Sequence, residues 1–313
     1  MDRSLLEDYA RLTARMALGP VHMGACALDA VRCDSTCLTP DEQAALALVD
    51  TAGGVLLVVG PTGSDRGLRV VREPAAFTEA FGGGAIDTVV VADGPSALAA
   101  AALGRAVADA VEKPVAALVR GLGMAELATA EMGGSVAFGF ADEMLRLTRA
   151  MLGAAAPLLG AEDEPLPSET LADLLQADPT GIRLLVGHGR GAFVIAEALR
   201  HMNGRRRRLT VVSLGAQAPL PEEVEAYQLI GDLDAVGWLN ACSEQGRRVV
   251  PLAGHHLNRW LPGALPVTAL LREILGQRLN VGTGAGTPRA APEAAAQAEA
   301  PEQEQGAPTP PAG

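Results

Sequence analysis

The sequence predicts an α/β protein: a three-layer, mostly parallel sheet covered by helices on both faces, with a helical extension at its N-terminus. Three observations carry this. Short apolar runs alternate with stretches of helical period along the middle of the chain. The runs are apolar at consecutive positions, as strands buried on two faces must be. Of 313 residues, 49% are apolar and only 3% aromatic. That content suffices for one large domain or two small ones, and its alanine and glycine allow close helix–sheet contact.

Taken in order, residues 1–50 read as the helical extension, because Leu5, Leu6, Tyr9, Leu12 and Met16 recur at three- and four-residue spacing. Residues 51–280 form the expected α/β domain. Val55–Val59 is a buried strand stopped by Gly60-Pro61, and Ile86–Val91 is a second, followed by a helix over Ser96–Val111. Pro114–Val119 is a third strand, and a Gly- and Met-rich loop then leads to a helix over Ala137–Leu152. Ile182–Val186 is a fourth strand that runs directly into a helix from Gly191 to Met202. Leu209–Leu214, Tyr227–Ile230 and Arg248–Leu252 complete the strands. Residues 281–313 are Ala, Pro, Gly, Glu and Gln without apolar period, which predicts a disordered acidic tail.

Several function classes drop out. A formal net charge of −12 argues against non-specific nucleic-acid binding, since a phosphate backbone would be repelled over most of the surface. The acidic first residues, Met1–Asp8, do not read as a secretory signal, and the apolar stretch Met16–Ala30 is too short and too broken by Gly19-Pro20 to span a bilayer. Cys26, Cys33, Cys37 and Cys242 show no zinc-type spacing and read as reduced structural thiols of a cytoplasmic protein. Neither a metal nor a cofactor is expected.

The chemistry concentrates in Gly187-His188-Gly189-Arg190-Gly191, between the fourth strand and its helix. A strand–G-x-S-x-G–helix turn is a nucleophile elbow: its glycines admit close packing, and its central residue points an oxygen away from the sheet. Downstream, a strand ends in Asp232-Leu233-Asp234, and a later one runs into His255-His256. Nucleophile, acid, histidine is the chain order of an α/β-hydrolase triad. Over about residues 180–275 the sequence resembles class 3 (fungal-type) lipases and related bacterial hydrolases; over 50–120 the likeness is only one of sheet pattern.

The resemblance implies Asp234 as triad acid, with Asp232 as the alternative, and His255 or His256 as general base. Gly189 falls at the serine position. Glycine has no oxygen to attack an acyl carbon, yet it adopts the positive φ of an elbow without steric cost. Gly60 and Thr62, in Gly60-Pro61-Thr62-Gly63-Ser64-Asp65, follow the first strand as an expected oxyanion loop; no Lys follows the last glycine, so this is not a Walker loop.

Other groups near the turn bear on the chemistry. His188 and Arg190 flank Gly189 as candidate binding residues, Ser213 is a strand-end hydroxyl, and Ser135 reads as a helix start. Asp234 also suits an N-cap, Cys242 a buried thiol, and Arg205–Arg208 a solvated turn. The expectation is a lipase- or esterase-like homologue without its serine, a non-catalytic binding or regulatory pseudohydrolase. The alternative is an active ester or lipid hydrolase using an unconventional nucleophile or a histidine-activated water. An acyl or other small apolar ligand is the expected partner. The N-terminal helix, with Met16, Met23 and Leu28 on its apolar face, either packs on the sheet or meets a protein, membrane surface or granule.

Overall fold

A computed structural model of the chain describes residues 27–47, 49, 54–65, 67–72, 74–81, 84–121, 166–177, 181–202 and 209–282. The expected helices over Leu5–Met16 and Ala137–Leu152, the Gly121–Gly134 loop beyond Gly121, Ser135, Cys26, Arg205–Arg208 and the tail beyond 282 lie outside the described residues. Two compact units divide the chain, Met1–Ile274 and Leu275–Gly313. The sheet and everything said of the site belong to the first.

Eight strands form one sheet: β1 (Leu56–Val59), β2 (Arg69–Val71), β3 (Thr88–Val91), β4 (Val115–Leu118), β5 (Leu184–His188), β6 (Thr210–Leu214), β7 (Glu225–Gly231) and β8 (Arg247–Val250). Their spatial order is β2-β1-β4-β3-β5-β6-β7-β8. From β4 to β8 all neighbours are parallel, and β1 is antiparallel to both β2 and β4. The mostly parallel, helix-covered sheet predicted from the apolar runs is present.

Helices α1 (Pro40–Ala47), α2 (Pro74–Phe81), α3 (Ala97–Val111), α4 (Pro167–Ala177), α5 (Arg190–Arg200), α6 (Ala235–Leu239) and α7 (Val267–Gly282) accompany the strands, with a short helix over 27–32 and a 3-10 turn at Ser35–Cys37. Strand periodicity of two assigns the faces. Leu56, Val58, Val89, Val91, Ala116, Leu118 and Leu185 share one core with Phe77 of α2, Leu171, Leu174 and Leu175 of α4, and Ile195 and Leu199 of α5. The intervening Val59 and Ala117 meet α3, where Gly104 leaves room for the close approach. Truncating a side chain such as Ile195, fully buried here, costs about 2–5 kcal/mol.

Three elements carry weak sequence signals. Strand β2 is three residues on the sheet edge, too short for an alternation to register. Helix α4 opens on Pro167, which suits a first turn, and Glu169 reaches back to the Leu166 N–H at 3.0 Å. Strand β8 stops at Val250 rather than running to Leu252, because Leu252 takes a positive φ of 56°.

The direction of β1 matters for the site. Val59 pairs with Val115 at the start of β4, so the loop leaving β1 emerges at the opposite end of the sheet from the loops leaving β3 and β5. Gly60 and Thr62 are therefore not an oxyanion loop for the elbow. Instead the Thr62 N–H and Oγ1 donate to the Asp109 carboxylate of α3 at 2.6 and 2.8 Å.

Candidate active site

The chain moves from β3 outward to β4 and then returns to place β5 on the other side of β3. In open α/β sheets this reversal opens a crevice at the carboxyl ends of the two central strands, and ligands bind there. Here the crevice is framed by Ala92-Asp93-Gly94 after β3 and by Gly189 after β5.

The elbow has the local geometry its sequence implies. Gly189 has φ 52° and ψ −120° and stands directly before α5. Few residues with a side chain hold that conformation without strain of about 1–3 kcal/mol. Gly191 is required by proximity, since a methyl group there would collide with the Val91 carbonyl oxygen. The sequence thus builds the turn and leaves its central residue without a functional group.

Of the acids and histidines singled out, Asp234 and His255 come together. Asp234 is 1% exposed, and its carboxylate oxygens lie 3.0 and 3.1 Å from His255 Nδ1. The capping role is also real, because the Gly237 N–H donates to Asp234 Oδ1 at 2.6 Å at the start of α6. Asp232 is exposed. His256 lies against the Pro262 carbonyl, with Nε2 at 3.0 Å, so it is not the partner of the acid.

His188 is buried, and its Nε2 donates to the His255 carbonyl oxygen at 2.8 Å. Burial, and next the neighbouring His255, push its pKa down to about 4, so it is a neutral ring that fixes the histidine loop. The two rings are 5.0 Å apart. Ser213, at the end of β6, is fully buried and has no hydrogen-bond partner for its hydroxyl among the described residues. Cys242 is exposed rather than buried. Burial raises the thiols of Cys33 and Cys37, the latter to about 12, which keeps both protonated.

Sequence reasoning missed Asp93. A Cβ built on Gly189 would stand 2.5 Å from Asp93 Oδ1, 2.7 Å from its Cγ and 2.8 Å from its Cβ. The space an elbow side chain would occupy is filled by a carboxylate from the neighbouring strand's loop. Asp93 Oδ1 accepts from the Arg190 N–H at 3.0 Å, the backbone donor of the residue that follows Gly189. Asp93 Oδ2 lies 3.8 Å from His255 Nε2 and 3.8 Å from Arg32 Nη1, ion-pair distances rather than hydrogen bonds. The Arg120 guanidinium donates to the Asp93 carbonyl. One sequence signal was available: an acidic residue immediately beyond an apolar central strand, in Val91-Ala92-Asp93-Gly94.

Electrostatics follow from this packing. Burial opposes ionising Asp93, but His255, His188 and Arg190 together hold it well below the usual carboxylate range. Burial likewise pulls His255 down, yet the carboxylates of Asp234 and Asp93 outweigh it and carry its pKa up to about 9. At neutral pH the centre is an imidazolium between two carboxylates.

Residues 27–37 brace this centre from the outside. Asp29 accepts from Ser96 Oγ at 2.5 Å, anchoring the start of α3 just beyond the Asp93 loop. The Leu257 N–H donates to the Arg32 carbonyl at 2.8 Å, and Arg259 Nε pairs with Asp34 at 2.7 Å. The segment ties the Asp93 loop to the histidine loop. Among the described residues no group of three or more His, Cys, Asp or Glu is placed to hold a metal, and no helix is long and apolar enough to cross a membrane.

No family model and no curated protein matches the sequence. Among solved structures, a dienelactone hydrolase-like promiscuous phosphotriesterase from metagenomic libraries is similar over 62% of this chain and 85% of its own, at 16% identity and a TM-score of 0.32.

Proposed function

We propose that this chain is an α/β-hydrolase-type protein, of the kind that resembles class 3 lipases, in which the serine acyl-enzyme route is closed. Toward esters it is a pseudohydrolase that binds an acyl or other small apolar ligand in a cytoplasmic setting. The observation that carries this reading is Asp93 at the elbow: its carboxylate fills the space beside Gly189 and accepts from Arg190 N–H. Two requirements of ester cleavage fail together. A serine-type nucleophile is missing, and a backbone donor needed by the tetrahedral oxyanion is already engaged. A protonated His255 adds a third obstacle, since an imidazolium accepts no proton.

Fluorophosphonate labelling and short-chain ester turnover test this. The wild-type protein is expected to give neither. Gly189→Ser alone is expected to stay silent, because its Cβ falls on Asp93. Combining Gly189→Ser with Asp93→Gly clears the site, and labelling is expected to appear. Ester turnover by the wild-type protein that vanishes on His255→Ala would overturn the reading.

A second reading, hydrolysis through an unconventional nucleophile, is favoured by one specific contact. Asp93 Oδ2 faces His255 Nε2, the nitrogen that serves a nucleophile in a triad.

A further inference from the structure

We propose that strand β8 is the surface through which two copies of this chain pair, each adding its strand to the other's sheet across a two-fold axis at Val249. The proposal is independent of the ester question and of the crevice chemistry.

Strand β8 ends the sheet, with β7 as its one neighbour among the described residues. Along a strand, the backbone groups of successive residues point to opposite edges. The Gln228 and Asp232 N–H groups donate to the carbonyls of Gly246 and Val250 at 2.9 and 3.0 Å. Gly246, Arg248 and Val250 therefore face β7, while Arg247 and Val249 turn their N–H and C=O groups outward. The Arg247 N–H is already bonded to the Glu244 carbonyl at 3.2 Å, so Val249 is the residue that presents both groups. Such an edge is a template for a further strand.

The surroundings of this edge are apolar. Leu233, Trp238, Leu239, Val249 and Leu252 are all exposed, and they lie on β8 or on the segments beside it. The Leu233 N–H donates to the Ala253 carbonyl at 2.9 Å, which sets Leu233 beside the chain leaving Leu252. The Arg247 guanidinium lies 5.9 Å over the Trp238 ring, so α6 flanks the strand. Exposed apolar groups gathered in this way mark a protein contact. Arginines ordinarily guard a sheet edge. Here Arg247 pairs with Glu244 at 3.2 Å and Arg248 with Glu273 at 2.9 Å, so each charge is already met within the chain.

Self-complementarity selects a second copy as the occupant. A two-fold axis normal to the sheet makes the two strands antiparallel and sets one residue opposite itself. Centring on Arg247 or Arg248 brings like charges together. Centring on Val250 places Val249 opposite Pro251, which has no N–H to give. Centring on Val249 lets the two valines exchange both N–H···O=C bonds and sets Arg248 opposite Val250. Pro251 then ends the ladder, so the pairing is short and the neighbouring leucines and Trp238 supply the rest of the contact.

Sedimentation of the full-length protein over a series from about 1 to 100 μM tests this. The expected mass rises with concentration from the 32.1 kDa of one chain to twice that value. Val249→Lys sets two ammonium groups face to face and is expected to raise the dissociation constant at least about tenfold. Val249→Pro removes the outward N–H while leaving the β7 ladder intact, and the same loss is expected. Val70→Lys makes the same charge change on β2 at the other end of the sheet and is expected to leave pairing unaltered. Circular dichroism and urea midpoints check each fold, and Val249→Lys decides the matter if Val249→Pro does not fold. A wild-type protein that stays monomeric through the whole series would overturn the proposal. So would a dimer that Val249→Lys leaves as tight as the wild type, or one that Val70→Lys weakens equally.

Discussion

Two glycine-rich turns follow apolar strands here, and they do opposite work. Gly60-Pro61-Thr62-Gly63 leaves β1, and Gly187-His188-Gly189-Arg190-Gly191 joins β5 to α5. In sequence both resemble loops that offer backbone N–H groups to an anion. In the fold, β1 runs antiparallel to β4, so its turn lies at the far end of the sheet and its polar groups are used up on α3. There Arg105 donates to the Pro61 carbonyl at 3.0 Å and pairs with Glu42. The β5 turn faces the crevice, and its N–H holds a carboxylate. Strand direction, more than glycine content, separates a structural turn from a chemical one.

Removing buried charges should separate the two ends most strongly. Asp234→Ala strips the fully buried partner from His255 and the cap from α6, and the expected loss is about 3–5 kcal/mol in urea unfolding. Arg105→Ala is expected to cost less, since Glu42 loses its guanidinium but still accepts from the Thr39 N–H, and to leave the titration of His255 unmoved. A shift of that titration would break the separation between the turns.

Gly189→Ala comes next. It imposes a side chain on a backbone at φ 52° and drives its methyl group into Asp93, for an expected cost of about 1–3 kcal/mol by thermal or urea unfolding. A neutral result would mean that the elbow relaxes freely.

pH provides a gentler probe of the charged end. The folded state binds the His255 proton more tightly than the unfolded chain, with a pKa near 9 against 6.5. Its stabilisation is therefore complete below about 6.5 and lost as pH rises through about 9. Urea midpoints are expected to fall across that window in the wild-type protein and to fall less in Asp93→Asn. Smallest of all is Thr62→Ala, an exposed contact at the structural turn, expected within about 0.5 kcal/mol of the wild-type stability.

Much of this was legible in the chain itself. The buried strands announce themselves because Val89-Val90-Val91 and Leu184-Leu185-Val186 are apolar at every position, and the order of the motifs narrows the acid to Asp232 or Asp234 and the histidine to His255 or His256. Strand direction was not legible: an apolar run such as Leu56–Val59 reads the same either way, which misplaced Gly60 and Thr62. Asp93 escaped for a related reason. Its role depends on β3 lying beside β5, a contact across nearly a hundred residues that no local pattern encodes. Between His255 and His256, periodicity is silent, and only the loop's path past Pro262 and Asp234 decides.

Asp93 occupies the turn beside Gly189 as an ionised group facing a protonated histidine. Titration of the His255 ring by nuclear magnetic resonance tests this most directly. The expected midpoint is near 9 in the wild-type protein, falling clearly in Asp93→Asn while Asp234 remains in place. A midpoint at or below 6.5, or one that Asp93→Asn leaves unchanged, would contradict it.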